Sequence, residues 1–351
     1  MGRDPLESRV TQPVDEPRDV RPDHGSLADA ITTCDYHTAG EPFRIVTGGA
    51  PEIPGNTILD RRETAAATES IDFVRRLLCH EPRGHADMYG GFIVPPNDAG
   101  ADFGVLFWHK DGYSTACGHG TIALGAWAVE SGVAPAQPDG ETIVTIDVPS
   151  GRVAAHVRSR DGAIESVAFQ NVPAYVVAQG LSAGPATVDV AYGGALYASV
   201  PAASLGLTVE PARLPELIAA GRAIKSALSG TAAAEHQNDE RLSGIYGTII
   251  YEALAPLHHR NVTIFADGEV DRSPCGSGTS ARCALLHAEG RLREGEELLH
   301  EGIVGTQFRA RVLGNSTEGT LTQVEGMAYK TGEHRFFLDP RDPLHTGFVL
   351  R

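Results

Sequence analysis

Two cysteines in matching surroundings carry the chemistry that this chain offers. Residues 114–132 read Ser-Thr-Ala-Cys-Gly-His-Gly-Thr-Ile-Ala-Leu-Gly-Ala-Trp-Ala-Val-Glu-Ser-Gly, and residues 272–290 read Arg-Ser-Pro-Cys-Gly-Ser-Gly-Thr-Ser-Ala-Arg-Cys-Ala-Leu-Leu-His-Ala-Glu-Gly. At an offset of 158 residues (275 minus 117) they match at Cys117/Cys275, Gly118/Gly276, Gly120/Gly278, Thr121/Thr279, Ala123/Ala281, Ala126/Ala284 and Gly132/Gly290. In each copy the glycines precede a helix-like apolar run. The cysteine therefore falls at a helix N-terminus, where free amides and the positive dipole end favour an anion and a thiol is most readily turned into a thiolate.

Two copies of one unit can face each other across a cleft. Thiols on opposite sides of a small molecule suit removal of a proton from one face of a carbon and its return to the other. The amides after each cysteine would hold a carboxylate and stabilise charge moving toward the enolate. The thiols would titrate as a coupled pair, and a model thiol near ~8.5 needs only modest lowering to act as a base. This chemistry needs no cofactor and no metal.

The elements that must position these groups are legible in outline. Residues 31–46 read as a strand, a turn and a second strand, and residues 62–80 as one amphipathic helix with Ile71, Val74, Leu77 and Leu78 on its buried face. A polar loop at 83–89 feeds a strand, and Gly104–His109 is an apolar strand that turns at Asp111-Gly112 and delivers Cys117. Residues 142–157 and 164–178 alternate as strands about an Asp161-Gly162 turn. The second half repeats the plan: a strand and glycines at 188–198, helical segments at 212–233, strands at 245–252 and 261–265, then Cys275, with a strand-like tail at 320–337.

The 351 residues favour two domains. With 40 glycines and 22 prolines, turns are frequent, which suits a strand-rich α/β or α+β fold. A net charge of −16 argues against a nucleic-acid partner. No apolar run approaches the ~18 residues of a membrane span, and five scattered cysteines fit a reducing compartment, so a cytoplasmic location is expected. Residues 1–30 carry four prolines among charged residues and read as a disordered extension.

With Asp87-Met-Tyr-Gly90, Gly112-Tyr-Ser-Thr-Ala-Cys-Gly-His119 and Asp271-Arg-Ser-Pro-Cys-Gly-Ser-Gly278 in this order, the chain from about Asp35 to Arg351 resembles the proline racemase family. That family comprises proline racemases, hydroxyproline 2-epimerases and trans-3-hydroxy-L-proline dehydratases. The resemblance implies an α+β fold like that of diaminopimelate epimerase. In it, two similar halves each wrap a curved sheet around a central helix, with the active site between them. The halves would be residues 31–165, completed by strands from 330–351, and residues 166–329. Cys117 and Cys275 match the proton-transfer positions, and Gly118, His119, Gly276 and Ser277 the carboxylate loops. Asp271 matches the residue that binds the ring amine, and Tyr89 and Phe265 match the aromatic walls. The implied partner is a small molecule, proline or hydroxyproline, and a homodimer is expected because members are often dimers.

The resemblance leaves the reaction open. Racemases and epimerases keep both cysteines, as here, whereas dehydratases usually carry threonine at the second. Yet Gly112-Tyr-Ser-Thr115, Tyr192-Gly-Gly-Ala195, Tyr329-Lys-Thr-Gly332 and Asp342-Pro-Leu-His-Thr-Gly-Phe348 look more like the dehydratase branch. Ala116 stands where the family more often has methionine. Because inversion needs a second proton carrier, the leading expectation is a cofactor-independent racemase or 2-epimerase, with dehydration as the alternative and a non-catalytic binding protein as the third reading. Plainer readings stand beside the sharp ones. Cys34, Cys79 and Cys283 read as packing, His119 as a structural histidine, Asp271 as a helix cap, and Tyr89 and Phe265 as core. His85 with Asp87, and His258 with His259, make weak metal pairs.

Overall fold

The alternation of apolar and polar residues along most strand segments becomes one continuous mixed sheet in the computed structural model, which describes residues 30–184 and 186–350. The expectation for the extension at 1–30 lies, apart from Ala30, outside the described residues. The elements run in chain order β1 (Ile31–Thr38), β2 (Glu41–Gly48), α1 (Ile58–Ala67), α2 (Glu69–Cys79), β3 (Tyr89–Val94), β4 (Phe103–His109), β5 (Gly112–Tyr113), α3 (Gly118–Glu130), β6 (Gly140–Val148), β7 (Gly151–Arg160) and β8 (Ala163–Gln170). They continue as β9 (Tyr175–Ala183), β10 (Ala186–Tyr192), β11 (Leu196–Pro201), α4 (Leu214–Leu228), β12 (Ile245–Ala255), β13 (His258–Phe265), β14 (Glu269–Asp271), α5 (Gly276–Ala288), β15 (Glu297–Gly302), β16 (Gln307–Ser316), β17 (Gly319–Gly326) and β18 (Ala328–Phe336).

Pairing follows the path β18-β1-β2-β3-β4-β6-β7-β8 and then, across the β8–β17 ladder, β17-β16-β15-β13-β12-β11-β10-β9. Each strand has its counterpart nine strand numbers later. The parallel pairs β2/β3 and β4/β6 reappear as β11/β12 and β13/β15, and α3 reappears as α5. A parallel pair needs a crossover. The helices α1 and α2 make one such crossover, α4 its counterpart, and α3 and α5 the other two.

The fold is therefore α+β, two similar halves each curved around one helix. The sequence explains why α3 sits inside, and the repeat places α5 in the equivalent position. Gly118–Ala128 and Gly276–Leu286 are buried without a break. α3 presents no polar face and belongs in a core, whereas α5 is equally buried although it carries Ser277, Thr279, Ser280 and Arg282. In the first half Ile122, Leu124 and Trp127 pack against Phe43, Phe103, Val105 and Phe107 from the sheet. The face formed by Ile71, Val74, Leu77 and Leu78 is buried as expected, against the outer side of β3 and β4 at Phe92, Leu106 and Trp108.

Several boundaries differ from the sequence reading. The single helix over 62–80 is two, because Thr68 adopts an extended backbone (φ −103, ψ 108) that ends α1 and starts α2. The segment 142–157 is a hairpin that turns at Pro149–Gly151, where Gly151 takes φ +139. The tail also divides. β17 pairs with β16 and β8, whereas β18 crosses to β1. Among the described residues no helix is long and apolar enough to cross a membrane.

Candidate active site

The two central helices meet end to end, and glycine makes this possible. A Cβ on Gly118 would lie 2.6 Å from Gly276 Cα, and one on Gly276 would lie 2.7 Å from Gly118 Cα, so neither backbone tolerates a side chain on the other. The second glycine of each repeat has a different task. A Cβ on Gly120 would lie 2.7 Å from Cys117 Sγ, and one on Gly278 would lie 2.8 Å from Cys275 Sγ. The pattern Cys-Gly-x-Gly thus lets two helix N-termini touch and leaves room beside each for its thiol.

Around this contact closes a cavity of only about 10 Å³, roughly the space of one water. Cys117, Cys275, His119, Asp271, Gly276, Ser277, Tyr89 and Phe265 all line it, together with Ala116, Tyr197, Tyr246 and Thr263. Gly118 lies immediately behind, against Gly276. The fold thus gathers at one point all the residues that motif matching selected. Beyond Tyr246 and Ser114 lies a wide, solvent-open depression of about 810 Å³ that also reaches Arg62, Arg222 and Lys225.

The two thiols are held differently. Cys117 has an ordinary extended backbone (φ −153, ψ 102), and its sulfur caps α3 by accepting the Gly120 amide at 3.2 Å. Cys275 takes φ +64 and ψ 99, a conformation that costs a residue with a Cβ, and its sulfur reaches toward the Tyr197 hydroxyl at 3.9 Å. Burial pushes the Cys117 thiol well above its ordinary value, opposed by the Gly120 amide and reinforced by the charge of Asp271. Burial and then the Asp271 charge do the same to Cys275, against the Gly278 amide. The expectation of readily formed thiolates is thus corrected. The helix amides act in the expected direction, but in the closed site desolvation outweighs them.

Asp271 explains much of this balance. Its carboxylate is buried and accepts the Ser273 amide at 2.8 Å and the Ser273 hydroxyl at 2.7 Å. It caps this tight turn and is not the cap of α5, since Cys275 occupies that position. Burial pushes its pKa up to about 6 despite those donors. Glu41, whose Oε2 accepts the Arg272 amide at 2.7 Å, is raised first by burial and then by Asp271. His119 is pulled down to about 3 by burial and is neutral, with its ring edge-on to Tyr89 at 5.0 Å and Nδ1 at 3.4 Å from Cys117 Sγ.

Tyrosines complete the walls. The Tyr89 hydroxyl meets Ser114 Oγ and, at 3.0 Å, the Tyr246 hydroxyl, while Tyr246 stacks on Phe265 at 5.6 Å. Tyr197 shares a 2.7 Å hydrogen bond with Ser277. Motif reading missed Tyr197, Tyr246 and Thr263. For Tyr246 a signal was present, because β3 and β12 both carry a Tyr-Gly pair, Tyr89-Gly90 and Tyr246-Gly247, at their starts.

The remaining candidates fall elsewhere. Asp87 accepts the Val270 amide and pairs with Arg272 at 2.8 Å, which ties the loop before β3 to β14 and the loop before Cys275. His258 contacts Glu301, and His259 is buried beside Tyr251. Among the described residues, His109, Asp111 and Glu269 bring ligand-type atoms within 4.8 Å of one another. These atoms are already engaged, His109 with Glu269 at 3.0 Å and Asp111 with Lys110 at 2.8 Å. The Tyr192–Ala195 motif packs a turn between the halves: a Cβ on Gly193 would meet Ser277 O at 2.4 Å, and one on Gly194 the Ala116 methyl at 2.7 Å. Residues 329–332 lie in β18 and residues 342–348 fold against Glu81 and Arg83; neither stretch lines the cavity.

Known proteins resemble this chain along nearly its whole length. The proline racemase family model matches residues 33–349. The trans-3-hydroxy-L-proline dehydratase of Bacillus cereus is 44% identical over 336 residues, covering 92% of this chain and 99% of that protein. The 3-hydroxyproline 2-epimerase of Burkholderia multivorans is 44% identical over 339 residues, covering 93% and 99%. Among solved structures, a hydroxyproline epimerase from Agrobacterium vitis with bound trans-4-hydroxy-L-proline superposes with a TM-score of 0.86 at 31% identity, over 92% of this chain and 96% of that one. A Bacillus anthracis protein of the PhzF family shares the fold alone, with a TM-score of 0.53 at 14% identity over 88% and 99%.

Proposed function

The chain belongs to the proline racemase family, and on that premise we propose that it is a cofactor-independent 2-epimerase of a hydroxylated proline, with 3-hydroxyproline as the first substrate to test. The observation that carries the reading is the pair of thiols at abutting helix N-termini on one cavity. Relatives at 44% identity whose names specify 3-hydroxyproline support the choice of ring.

In this mechanism the substrate carboxylate lies on the amides after Cys117 and Cys275, and its ring ammonium lies on Asp271. The ammonium offsets the negative charge that raises both thiols, so substrate binding itself lowers the cost of forming one thiolate. That thiolate removes the α-proton as the C–H electrons move into the carboxylate, and the helix ends stabilise the charge that develops there. The other thiol then protonates the opposite face of Cα. With substrate bound one cysteine is the thiolate and the other the thiol, and each turnover exchanges their states. Because the cavity holds about one water, the halves separate to admit substrate and close over it, which excludes solvent during proton transfer.

The second reading, dehydration of trans-3-hydroxy-L-proline, is favoured by the dehydratase names among those relatives. There one thiolate takes the α-proton, the C3 hydroxyl leaves as water with a proton from the other thiol, and the enamine tautomerises to a cyclic imine. Incubating the enzyme in D2O with each proline and hydroxyproline isomer, followed by NMR and polarimetry, separates the two. Deuterium at Cα with inverted configuration is the expected result. Formation of a cyclic imine in place of the epimer would establish the second reading, and neither change with any isomer would overturn both.

A further inference from the structure

The strained backbone of Cys275 is held by a closed ring of buried hydrogen bonds that Cys117 lacks. The peptide between Pro274 and Cys275 is fixed at both ends. Its carbonyl, Pro274 O, accepts from Asn261 Nδ2 at 3.1 Å and from Thr279 Oγ1 at 3.2 Å. Its amide donates to Ser273 Oγ at 3.1 Å. The following carbonyl, Cys275 O, accepts the Thr279 amide at 2.7 Å. Both peptide planes that flank Cα of Cys275 are thereby set, and with them φ and ψ. Such conformations persist only where their surroundings over-determine them.

His300 closes the ring. Its Nδ1 lies 2.7 Å from Thr279 Oγ1 and its Nε2 lies 2.9 Å from Asn261 Nδ2. Burial keeps this imidazole neutral, so one nitrogen donates and the other accepts. Asn261 Nδ2 can only donate, which makes Nε2 the acceptor and Nδ1–H the donor to Thr279. The Thr279 hydroxyl is then free to donate to Pro274 O. The two Asn261 Nδ2 hydrogens serve Pro274 O and His300 Nε2, with Glu301 O a further, longer acceptor at 3.3 Å, and Asn261, Thr279 and His300 are fully buried. Thr263, on the same face of β13 as Asn261, lines the cavity with Cys275 and lies 3.4 Å from Asn261 Oδ1.

The internal repeat supplies the contrast. Thr121, the counterpart of Thr279, turns its hydroxyl to Cys117 O at 2.8 Å, an ordinary bond to the preceding helical turn. At the offset of 158, Asn261 and Thr263 correspond to Phe103 and Val105, and because Asn261 faces Gly302 as Phe103 faces Ile146, the counterpart of His300 is Val144. We infer that Asn261, Thr279 and His300 are positioning residues for Cys275, which fix the direction of its thiol toward Cα of the substrate while the Cys117 thiol is set by its own helix cap. The inference rests on the reading of Cys275 as one of the two proton carriers. Displacement of a catalytic group by about 1 Å can cost ~100-fold in rate.

Thr279→Val removes the hydroxyl with little change of shape, Thr279→Ser keeps it, and Thr121→Val is the mirror-image control. Inversion of 3-hydroxyproline by Thr279→Val should fall roughly 30- to 100-fold in kcat with KM within about threefold. Exchange into D2O should survive for the same enantiomer that Cys275→Ser still exchanges. Thr279→Ser and Thr121→Val should stay within about fivefold of the parent. A readout independent of turnover is the rate of iodoacetamide alkylation at each cysteine, followed by peptide mass spectrometry. Thr279→Val should change the Cys275 rate at least fivefold relative to Cys117 in the same molecule. Unchanged inversion, or alkylation rates that move together at both cysteines, overturns the inference. If the parent enzyme neither inverts nor exchanges any proline isomer, the proposed function fails, and the alkylation ratio still decides whether the ring positions Cys275.

Discussion

The two halves share a chain path strand for strand, yet the interiors around their cysteines differ in kind. On the first side Phe103, Val105, Ile122 and Leu124 surround the approach to Cys117; at the matching positions the second side carries Asn261, Thr263, Ser280 and Arg282. The Arg282 guanidinium lies buried 3.8 Å over the Tyr251 ring. An apolar surrounding holds a helix through shape and leaves the thiol to its own cap. A polar surrounding holds the backbone through directional bonds, which is what a strained cysteine needs. One architecture was thus furnished twice with different means of aiming a sulfur, and the difference tests which sulfur does what.

The largest effect should come from the sulfurs themselves. Cys117→Ser and Cys275→Ser are each expected to lower epimerisation by about a thousandfold or more, within the range of acid–base contributions. They should differ in which enantiomer still exchanges its α-hydrogen with D2O, because each variant keeps a base on one face only. Loss of exchange from the same enantiomer in both variants would break the assignment of one thiol to each face.

Next come the glycines at the contact, where the halves should behave alike. Gly118→Ala and Gly276→Ala each place a methyl within 3 Å of the opposite helix backbone. Each should prevent closure and reduce kcat/KM by about 100-fold, with a similar loss in thermal stability, measurable by kinetics and differential scanning calorimetry. A tolerated alanine at either position would show that the helix ends need not touch during turnover.

The smallest effect concerns Asp271, which serves both sides. Its folded-state pKa of about 6 lies above its ordinary value of 3.8, so the folded protein favours the protonated acid. The ionised carboxylate therefore destabilises the fold fully above pH 6 and not at all below about pH 3.8. Asp271→Asn should accordingly raise the Tm at pH 7.5, by a stability gain on the order of 3 kcal/mol, and the gain should disappear as pH falls from 6 toward 4. The same change removes a charge that raises both thiols, so alkylation of Cys117 and Cys275 should accelerate together, while substrate affinity falls. A pH-independent difference in Tm would mean that the pKa of Asp271 is the same in the folded and unfolded protein.

Repeat, motif and family resemblance together selected eight of the residues that line the cavity, Cys117, Cys275, His119, Asp271, Gly276, Ser277, Tyr89 and Phe265, since glycine, cysteine and aspartate in these orders serve few purposes but a helix end, a thiol and a buried acid. Helix and strand boundaries were less legible where one residue decides, as at Thr68, whose extended backbone splits a periodic segment, and at Gly151, whose φ turns one alternating run into a hairpin. Tyr197, Thr263 and Asn261 were hidden for another reason. Each reads as an ordinary strand residue, and only pairing of β11 with β12 and of β12 with β13 brings them beside Cys275.

The sequence by itself determined that there are two cysteines in equivalent frames, each opening a helix and the first of these helices too apolar to lie anywhere but inside, because that information is local and repeated. Only the tertiary structure decided that the helices touch through Gly118 and Gly276, that burial overrides the helix amides and raises both thiols, and that Cys275 alone is strained and ringed by polar groups. These properties depend on residues far apart in the chain, on solvent exclusion and on the contact of two backbones, none of which a linear pattern records.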